Sequence, residues 1–494
     1  MFYPTIDVVR NLAESHNIIP ISMEVYADME TPISLFKRFE TSSYCFLLES
    51  VEGGEKWARY SIIGRNPFMV VKSYKNKIII EEKNGFIREE EGNPVEIIRS
   101  LMDKFKGANL KGLPRFNGGA VGFFGYDLIR YYEHLPDMPS DDLELPESHF
   151  MFTDEVLVFD HLKQKIHIIV NLHVNGNVER GYNSAIDRIK SIYSEIFETR
   201  WKISDNFKPD FDKKVMDFSY ESNISKEKFC DNVLKAKQYI RDGDIFQVVL
   251  SQRLCVETDQ DPFNVYRVLR VINPSPYMYF LKFNDYKIAG SSPEMLVRVE
   301  DGIVETCPIA GTRKRGESKE EDDALEKDLL SDEKELSEHT MLVDLGRNDI
   351  GRVSKYGSVK VRELMHIEKY SHVMHIVTNV QGELSIDKTP FDAIMSILPA
   401  GTLSGAPKVR AMEIIDELET VKRGPYGGAI GYLSFNGNLD SCITIRTMIF
   451  KNGKAYVQAG AGIVADSVPE KEYEETINKA KALLKALEEV GEIR

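Results

Sequence analysis

The sequence has no run of about 18 apolar residues, the length needed to cross a bilayer as a helix, so no membrane-spanning segment is expected. Its N-terminus, Met1-Phe-Tyr-Pro-Thr-Ile-Asp7, lacks a basic region followed by an apolar stretch, so no export signal is expected either. Cysteine is scarce: five residues, at 45, 230, 255, 307 and 442, show neither paired spacing nor a Cys-x-x-Cys. That argues against a disulfide framework and a thiolate metal site, and it suits a reducing cytoplasm. Positive charge is also in deficit, with 63 basic against 78 acidic residues and a formal charge of −15. Nonspecific binding of nucleic acid or anionic membrane is therefore excluded as the main task, and an anionic ligand must be held by local design. Phosphate cradles are missing too: no Gly-x-x-x-x-Gly-Lys-Ser/Thr occurs, and no Gly-x-Gly-x-x-Gly opens a helix after a strand.

What is present, 494 residues at 42% hydrophobic, can bury ample core and suggests about two or three domains. Short runs rich in Val, Ile, Phe and Tyr at 44–50, 68–74, 77–82, 121–127 and 152–170 read as strands, with helical patterns near 95–106 and 178–198. Residues 201–223 are polar and aperiodic and carry Pro209, so the boundary falls there: a first domain 1–205, a linker 206–223 and a second domain 224–494. Beyond it, Phe229, Val233, Ala236 and Ile240 mark a helix face, followed by an apolar strand Ile245–Leu250. The class is mixed α and β, too irregular for a βαβ alternation.

Two Glu-x-x-Glu pairs stand out. Ser318-x-x-Glu321 is a capping-box pattern, and Leu325, Leu329, Leu336 and Val343 continue one helical face, which predicts a single long helix containing Glu335 and Glu338. Ser467-x-x-Glu470 repeats the pattern ahead of Tyr473, Ile477, Ala480, Leu484 and Leu487, placing Glu472 and Glu475 in the first turns of the final helix. Residues three apart on a helix have Cβ atoms about 5–6 Å apart, so each pair can present two carboxylates together. Facing pairs would repel one another unless a hard divalent ion such as Mg²⁺ intervened. By spacing alone each pair also reads as a solvated helix face.

Three glycine-rich loops accompany them: Pro308-Ile-Ala-Gly311-Thr312-Arg313, Ala400-Gly401-Thr402-Leu-Ser-Gly405-Ala-Pro407 and Ala459-Gly460-Ala461-Gly462. Each is either a tight turn or a concavity of exposed N–H groups suited to a carboxylate. Gly424-Pro-Tyr426-Gly427-Gly428 adds an aromatic hydroxyl. Arg446 lies in an apolar strand-like stretch, where an unpaired guanidinium is costly, so it should meet a carboxylate, the ligand's or the protein's. His366, His372 and His375 lack the spacing of a zinc site. His375, within Val373-Met-His375-Ile-Val377, is either a hydrogen-bonded core histidine or a general acid or base.

These strings resemble those of the chorismate-utilising enzymes, and within that family they are most similar to the large synthase subunits of anthranilate synthases. The similarity runs through Leu47-Leu-Glu-Ser50, Asn273-Pro-Ser-Pro-Tyr-Met278, Ser292-Pro-Glu294, Pro308-Ile-Ala-Gly-Thr-Arg313, Glu335-Leu-Ser-Glu-His339, Leu342-Val-Asp-Leu-Gly-Arg-Asn-Asp349 and Gly424-Pro-Tyr-Gly-Gly428. The resemblance implies an α+β fold of two stacked antiparallel sheets flanked by helices, with an N-terminal α/β regulatory domain folded onto it. It implies Mg²⁺ bound by Glu338 and Glu475, with Glu335 and Glu472 beside them, and chorismate held by Gly311, Thr312, Tyr426, Arg446, Gly460, Ala461 and Gly462. His375, Thr402, Glu294 and Glu335 take the family's catalytic positions. The implied reaction adds ammonia at C2 with loss of the C4 hydroxyl and then eliminates pyruvate to give anthranilate, the entry to tryptophan biosynthesis.

Two positions separate relatives within the family. Hydroxyl-adding members carry a water-activating lysine where this chain has Gln247, and aminodeoxychorismate synthases often carry a lysine near Ala310; both residues here favour anthranilate. No cysteine lies in a Gly-x-Cys-x-Gly turn, so ammonia is expected from a separate glutamine amidotransferase subunit, commonly in a heterotetramer of two synthase and two amidotransferase chains. Glu49, Ser50, Lys56, Pro276, Tyr277 and Met278 match the family's L-tryptophan feedback site. A competing reading, a catalytically silent tryptophan-sensing module, sits poorly with the intact set Glu338, Glu475, His375 and Arg446.

Overall fold

A computed structural model describes residues 1–51, 59–136, 139–198, 219–370 and 373–490. Most of the expected linker lies outside them, as do Lys56 and His372. The strand runs fold as expected from their β-branched and aromatic content: Cys45–Glu49, Met69–Tyr74, Lys77–Glu82, Gly119–Phe124, and three strands Ser148–Thr153, Glu155–Asp160 and Lys165–His173 within or beside 152–170. The helices Pro94–Met102, Val178–Phe197 and Lys226–Arg241 fall where the periodicity put them.

The strands assemble into one 13-stranded and one 12-stranded sheet among the described residues, and every ladder is antiparallel. Strands from both sides of the 206–223 boundary enter both sheets. Cys45–Glu49 pairs with Tyr277–Lys282 in the first, and Gly119–Phe124 with Ala429–Ser434 in the second. Such central strands are covered on both faces, which is why they read as continuous apolar runs with no alternation.

Stacking of the sheets explains the pattern. Between them lie Phe46, Ile62, Tyr279, Leu281 and Ile288 from the first and Val121, Phe123, Met151, Ile430 and Cys442 from the second. On its other face the first sheet packs the helices Pro32–Phe39, Val178–Phe197, Pro262–Ile272 and Pro469–Glu489. The second packs Pro94–Met102, Glu333–Gly351 and Pro390–Ile397. Each sheet thus buries one face on its twin and the other under helices.

Three local expectations change. The long helix around Glu335 is two helices, Lys319–Leu329 and Glu333–Gly351, because Asp332 leaves the helix and its carboxylate caps Lys334 N and Glu335 N. Ser467 does not cap the final helix: its hydroxyl accepts from Val464 N, and the helix opens at Pro469, whose fixed φ suits a first helical position. The strand expected at Ile245–Leu250 runs Gln247–Glu257, and Glu221–Ser222 at the end of the expected linker pairs with it.

Phe283 shows how the two sequence segments depend on one core. Fully buried, it stacks on His149 with ring centroids 4.0 Å apart, and His149 Nδ1 lies 2.7 Å from Tyr286 Oη. Phe283→Ala should cost about 3–5 kcal/mol, and scanning calorimetry should show both segments lost in one transition at lower temperature; two separated transitions would contradict a shared core.

Candidate active site

Glu335 and Glu338 sit one helical turn apart near the start of Glu333–Gly351, and Glu472 and Glu475 likewise on Pro469–Glu489. The two helices bring their acidic faces within electrostatic reach. The Glu338 carboxyl is pushed above its ordinary range by burial first, then by the charges of Glu335 and Glu475. Glu472 is raised for the same reasons, burial first and Glu475 among the charges, with the Ser467 hydroxyl working against the rise. Lys479, one turn beyond Glu475, stands against this concentration. Its Nζ is 2.7 Å from Glu475 Oε1 and donates to Gly460 O at 3.0 Å. Sequence reasoning missed Lys479, although an i, i+4 Glu-to-Lys spacing announces it. Among the described residues no three His, Cys, Asp or Glu side chains gather closely enough to form a metal cluster by themselves.

Two of the three expected glycine loops are strands. Pro308-Ile-Ala-Gly-Thr-Arg313 is mostly the edge strand Ile309–Lys314, broken by a bulge at Gly311, whose φ of 72° a side-chain-bearing residue would resist. A Cβ there would also meet Glu335 Oε2 at 3.2 Å. The bulge re-aims Thr312 toward its neighbour across the ladder, His375. Thr312 Oγ1 lies 3.0 Å and Gly311 O 3.1 Å from His375 Nδ1. A carbonyl only accepts, so Nδ1 carries the proton and Nε2 keeps its lone pair. Burial, the largest influence, holds the imidazole below its usual range, and the Gly311 hydrogen bond opposes it. The Tyr370 ring meets His375 edge-on, centroids 5.6 Å apart, a neighbour that no motif indicated.

Ala459–Gly462 belongs to the strand Lys454–Ile463. Gly460 and Gly462 share one face, where a Cβ would come within 2.8 Å of Tyr426 Oη and 2.7 Å of Gln247 Nε2 respectively. Ala461 points the other way, into the cluster under Lys226–Arg241 and Lys408–Leu418. Only its backbone can face the cleft. Ala400–Pro407 is the one true loop of the three: a 3₁₀ turn at Gly401–Leu403 and a short pairing of Gly405–Ala406 with Gln247 and Val248. The turn presents Thr402, whose hydroxyl donates to Glu294 Oε1 at 3.0 Å. Burial pushes the Glu294 carboxyl up to about 7, with Thr402 and the charge of Lys479 opposing.

Arg446 lies in the corner between Leu439–Ile443 and Thr447–Lys451, at a φ of 50°, and not in a strand. No carboxylate of the described residues pairs with it, and its charge is felt at His375 and Tyr426. Around one cleft, then, stand Glu294, Thr402, Gly311, Thr312, His375, Tyr426, Arg446, Gly460, Gly462 and the two acidic helices.

A second cavity, of about 1290 Å³, opens elsewhere between the sheets. It is lined by Glu49, Ser50, Pro276, Tyr277 and Met278 together with Arg298, His366 and Asp440. Glu49 is buried, and its carboxylate accepts from Tyr266 Oη at 2.6 Å, Arg270 Nε at 3.1 Å and Ser61 Oγ at 3.3 Å. Tyr277 Oη donates to Asp440 Oδ1 at 2.9 Å, and Arg298 bridges both, a network that the motifs did not mark. The His366 ring nitrogens lie near Glu363 O and Glu368. No helix among the described residues is long and apolar enough to cross a membrane.

Comparison with known proteins gives this geometry its context. The profile of the chorismate binding enzymes matches residues 44–485. Anthranilate synthase component 1 of Acetivibrio thermocellus is 80% identical over 494 residues, covering 100% of both chains, and that of Aquifex aeolicus is 49% identical over 487 residues, covering 98% of this chain and 97% of its own. The crystal structure of anthranilate synthase component I from Streptococcus pneumoniae superposes with a TM-score of 0.78 at 43% identity, covering 93% of this chain and 98% of that one. With the family's profile spanning both sheets and the cleft between the acidic helices, the chain belongs to the chorismate binding enzymes.

Proposed function

We propose that this chain is the synthase component of an anthranilate synthase, converting chorismate and ammonia to anthranilate and pyruvate. The observation that carries the reading is Arg446, a largely buried guanidinium that no carboxylate of the described residues pairs, in the same cleft as His375, Tyr426 and the acidic helices. Leaving such a charge unpaired is costly, and a carboxylate-bearing substrate supplies the counter-charge. The 80% identity to the Acetivibrio thermocellus component 1 protein along the whole chain supports the same assignment.

The acidic helices fit a hard divalent cation. Their donors are carboxylate oxygens, and burial first, then the charges of Glu335 and Glu475, raises Glu338, a repulsion that such a cation would relieve. Glu338 and Glu475 would hold Mg²⁺, with Glu335 and Glu472 beside them; when bound it supplies Lewis-acid polarisation of the substrate's ring carboxylate. Arg446 and Tyr426 bind the substrate's other polar end, and the bare backbone at Gly460 and Gly462 leaves room for the Tyr426 hydroxyl and the Gln247 amide beside it. As the C2–N bond forms, the C4–O bond breaks and the departing hydroxyl needs a proton. Aromatisation then removes a proton from C2 while the bond from the ring carbon to the ether oxygen breaks, and the departing enolpyruvate takes up a proton to become pyruvate. His375, oriented through Nδ1, exchanges protons at Nε2, and Glu294, titrating near neutrality, is a second group able to hold or give one. Gln247, beside Gly462, cannot activate water as a lysine would, which favours amination over hydroxylation.

Glutamine-derived ammonia comes in this reading from an amidotransferase subunit, in a heterotetramer of two chains of each kind, in the cytoplasm. The 1290 Å³ cavity is the proposed tryptophan site, with Glu49, Ser50, Pro276, Tyr277 and Met278 on its wall. Lys56 belongs to the same proposal. Binding there would oppose chorismate binding, and by reciprocity chorismate would weaken tryptophan binding.

Purified chain given chorismate, Mg²⁺ and ammonium should produce the blue fluorescence of anthranilate. A nonfluorescent aminodeoxychorismate product would overturn the assignment, and near-normal turnover in Glu338→Ala or Glu475→Ala would remove that residue from the metal site. Replacing Ser50 by Phe should leave turnover intact and relieve tryptophan inhibition; unchanged inhibition would exclude Ser50.

Glu294 gives a prediction independent of turnover. Its folded pKa is raised, so its contribution to stability is complete below the unfolded value of 4.5 and is lost as pH rises through about 7. The rise from 4.5 to about 7 corresponds to at most about 3.4 kcal/mol. Glu294→Gln should therefore unfold at a higher temperature than the parent at pH 8, with most of the advantage gone at pH 5. An equal advantage at both values would show that burial of the charged carboxylate is not the cause.

A further inference from the structure

Thr402 must be placed accurately to reach Glu294, yet Leu398–Pro407, the segment that carries it, has almost no regular structure. It holds one 3₁₀ turn and one two-residue pairing. Two buried cations hold it instead. Lys408, the first residue of the helix Lys408–Leu418, sends its Nζ back to Ile397 O at 3.0 Å, the last residue of the helix Pro390–Ile397. One ammonium thus ties together the two ends of the segment. The same Nζ pairs with Asp349 Oδ2 at 3.0 Å, near the end of Glu333–Gly351, the helix whose first turns carry Glu335 and Glu338. Arg423, itself held by Glu419, donates to Leu403 O at 2.6 Å, the residue after Thr402. Packing makes the tie tight: a Cβ at Gly401 would lie 2.0 Å from Leu345 Cδ2 on the same acidic helix.

A buried ion pair is weak evidence for stability, since desolvating both charges offsets most of their attraction. What this pair supplies is geometry. We propose that Lys408, through Asp349 and the Ile397 carbonyl, is a positioning residue that sets the Thr402 hydroxyl against Glu294 and fixes that pair relative to the carboxylate helix. The inference rests on the reading of Glu294 as an active-site carboxylate. The charged groups acting on the pair are few: Arg352 acts on both Lys408 and Asp349, and Lys479 on Glu294.

The test compares the full chain with Lys408→Met, Thr402→Val and the double variant, assayed for anthranilate across pH with ammonium as nitrogen donor. Misplacing a catalytic group by about 1 Å costs up to about 100-fold, so Lys408→Met should lower kcat about 10- to 100-fold while the KM for chorismate stays within about threefold. The Thr402 hydrogen bond favours the ionised carboxylate, so its loss should move the Glu294 limb of the pH–rate profile upward, equally in both single variants. The double variant should be no slower than Thr402→Val. Additive losses, or an unshifted limb in folded Lys408→Met, would overturn the proposal. Should Lys408→Met fail to fold, Lys408→Met with Asp349→Leu leaves no orphaned charge and should show the same low kcat; parent-like turnover there would also overturn it. An inactive parent chain would speak against the functional reading itself, so the two failures are distinct.

Discussion

Charge that the protein does not neutralise by itself is the constraint on which the rest of this structure turns. On one side of the cleft two helices bury carboxylates within reach of one another, and burial first, with the neighbouring charges adding to it, raises Glu338 and Glu472. On the other, Arg446 stands largely buried with no carboxylate of the described residues beside it. Either arrangement alone would favour relaxation: a helix sliding outward, a guanidinium turning to water. Both persist because the groups are mounted on elements that cannot move independently. The acidic helices lie against opposite sheets, Arg446 sits in a strand corner, and Lys479 bridges Glu475 to the backbone of Gly460. The cleft is preorganised for a ligand that brings anionic oxygen to both sides, and that is the electrostatic form of complementarity on which catalysis draws most.

Rigidity of that kind needs a large core, and the sheet pairing provides it. Residues around 47 and 280 are neighbours in one sheet, as are residues around 122 and 431 in the other, so neither sequence segment can bury its strands alone. Distances between functional groups are therefore set by ladders running through the whole molecule. The cleft itself is lined mainly by residues beyond the 206–223 boundary, while strands from before it brace its walls.

Much of this was legible in the sequence where a residue's role depends on its near neighbours. Apolar runs gave the strands, 3.6-residue periodicity gave Lys226–Arg241, and the Glu-x-x-Glu spacing gave two acidic helix faces. What failed depended on groups distant in sequence or on backbone departures. Asp332 broke a continuous apolar face because its carboxylate caps the next helix, a competition that periodicity does not weigh. Glycines at 460 and 462 looked like turn residues but lie in a strand, where what they avoid is Tyr426 and Gln247. Arg446 looked like a strand residue and sits at a corner. Tyr370, Arg298 and Asp440 carried no motif, and their contacts with His375 and Tyr277 exist only in the folded chain.

That network bears on how a ligand in the large cavity would reach the cleft. Arg298 lies on Met295–Glu300, the strand that begins one residue after Glu294, and its guanidinium faces the cavity. Gln381, also on the cavity wall, shares the strand Val373–Glu383 with His375 and bonds Glu305 Oε1 at 3.0 Å. Two strands therefore each carry a cavity residue at one end and a proposed acid–base residue at or beside the other. A ligand that displaced either strand would move Glu294 away from Thr402 or His375 away from Gly311, since those bonds are made to separate elements. Close packing forbids continuous drift, so such a shift is between discrete arrangements. The regulation proposed for the cavity thus needs no long-range wire, because two strands of one sheet already join the cavity wall to the proposed acid–base residues.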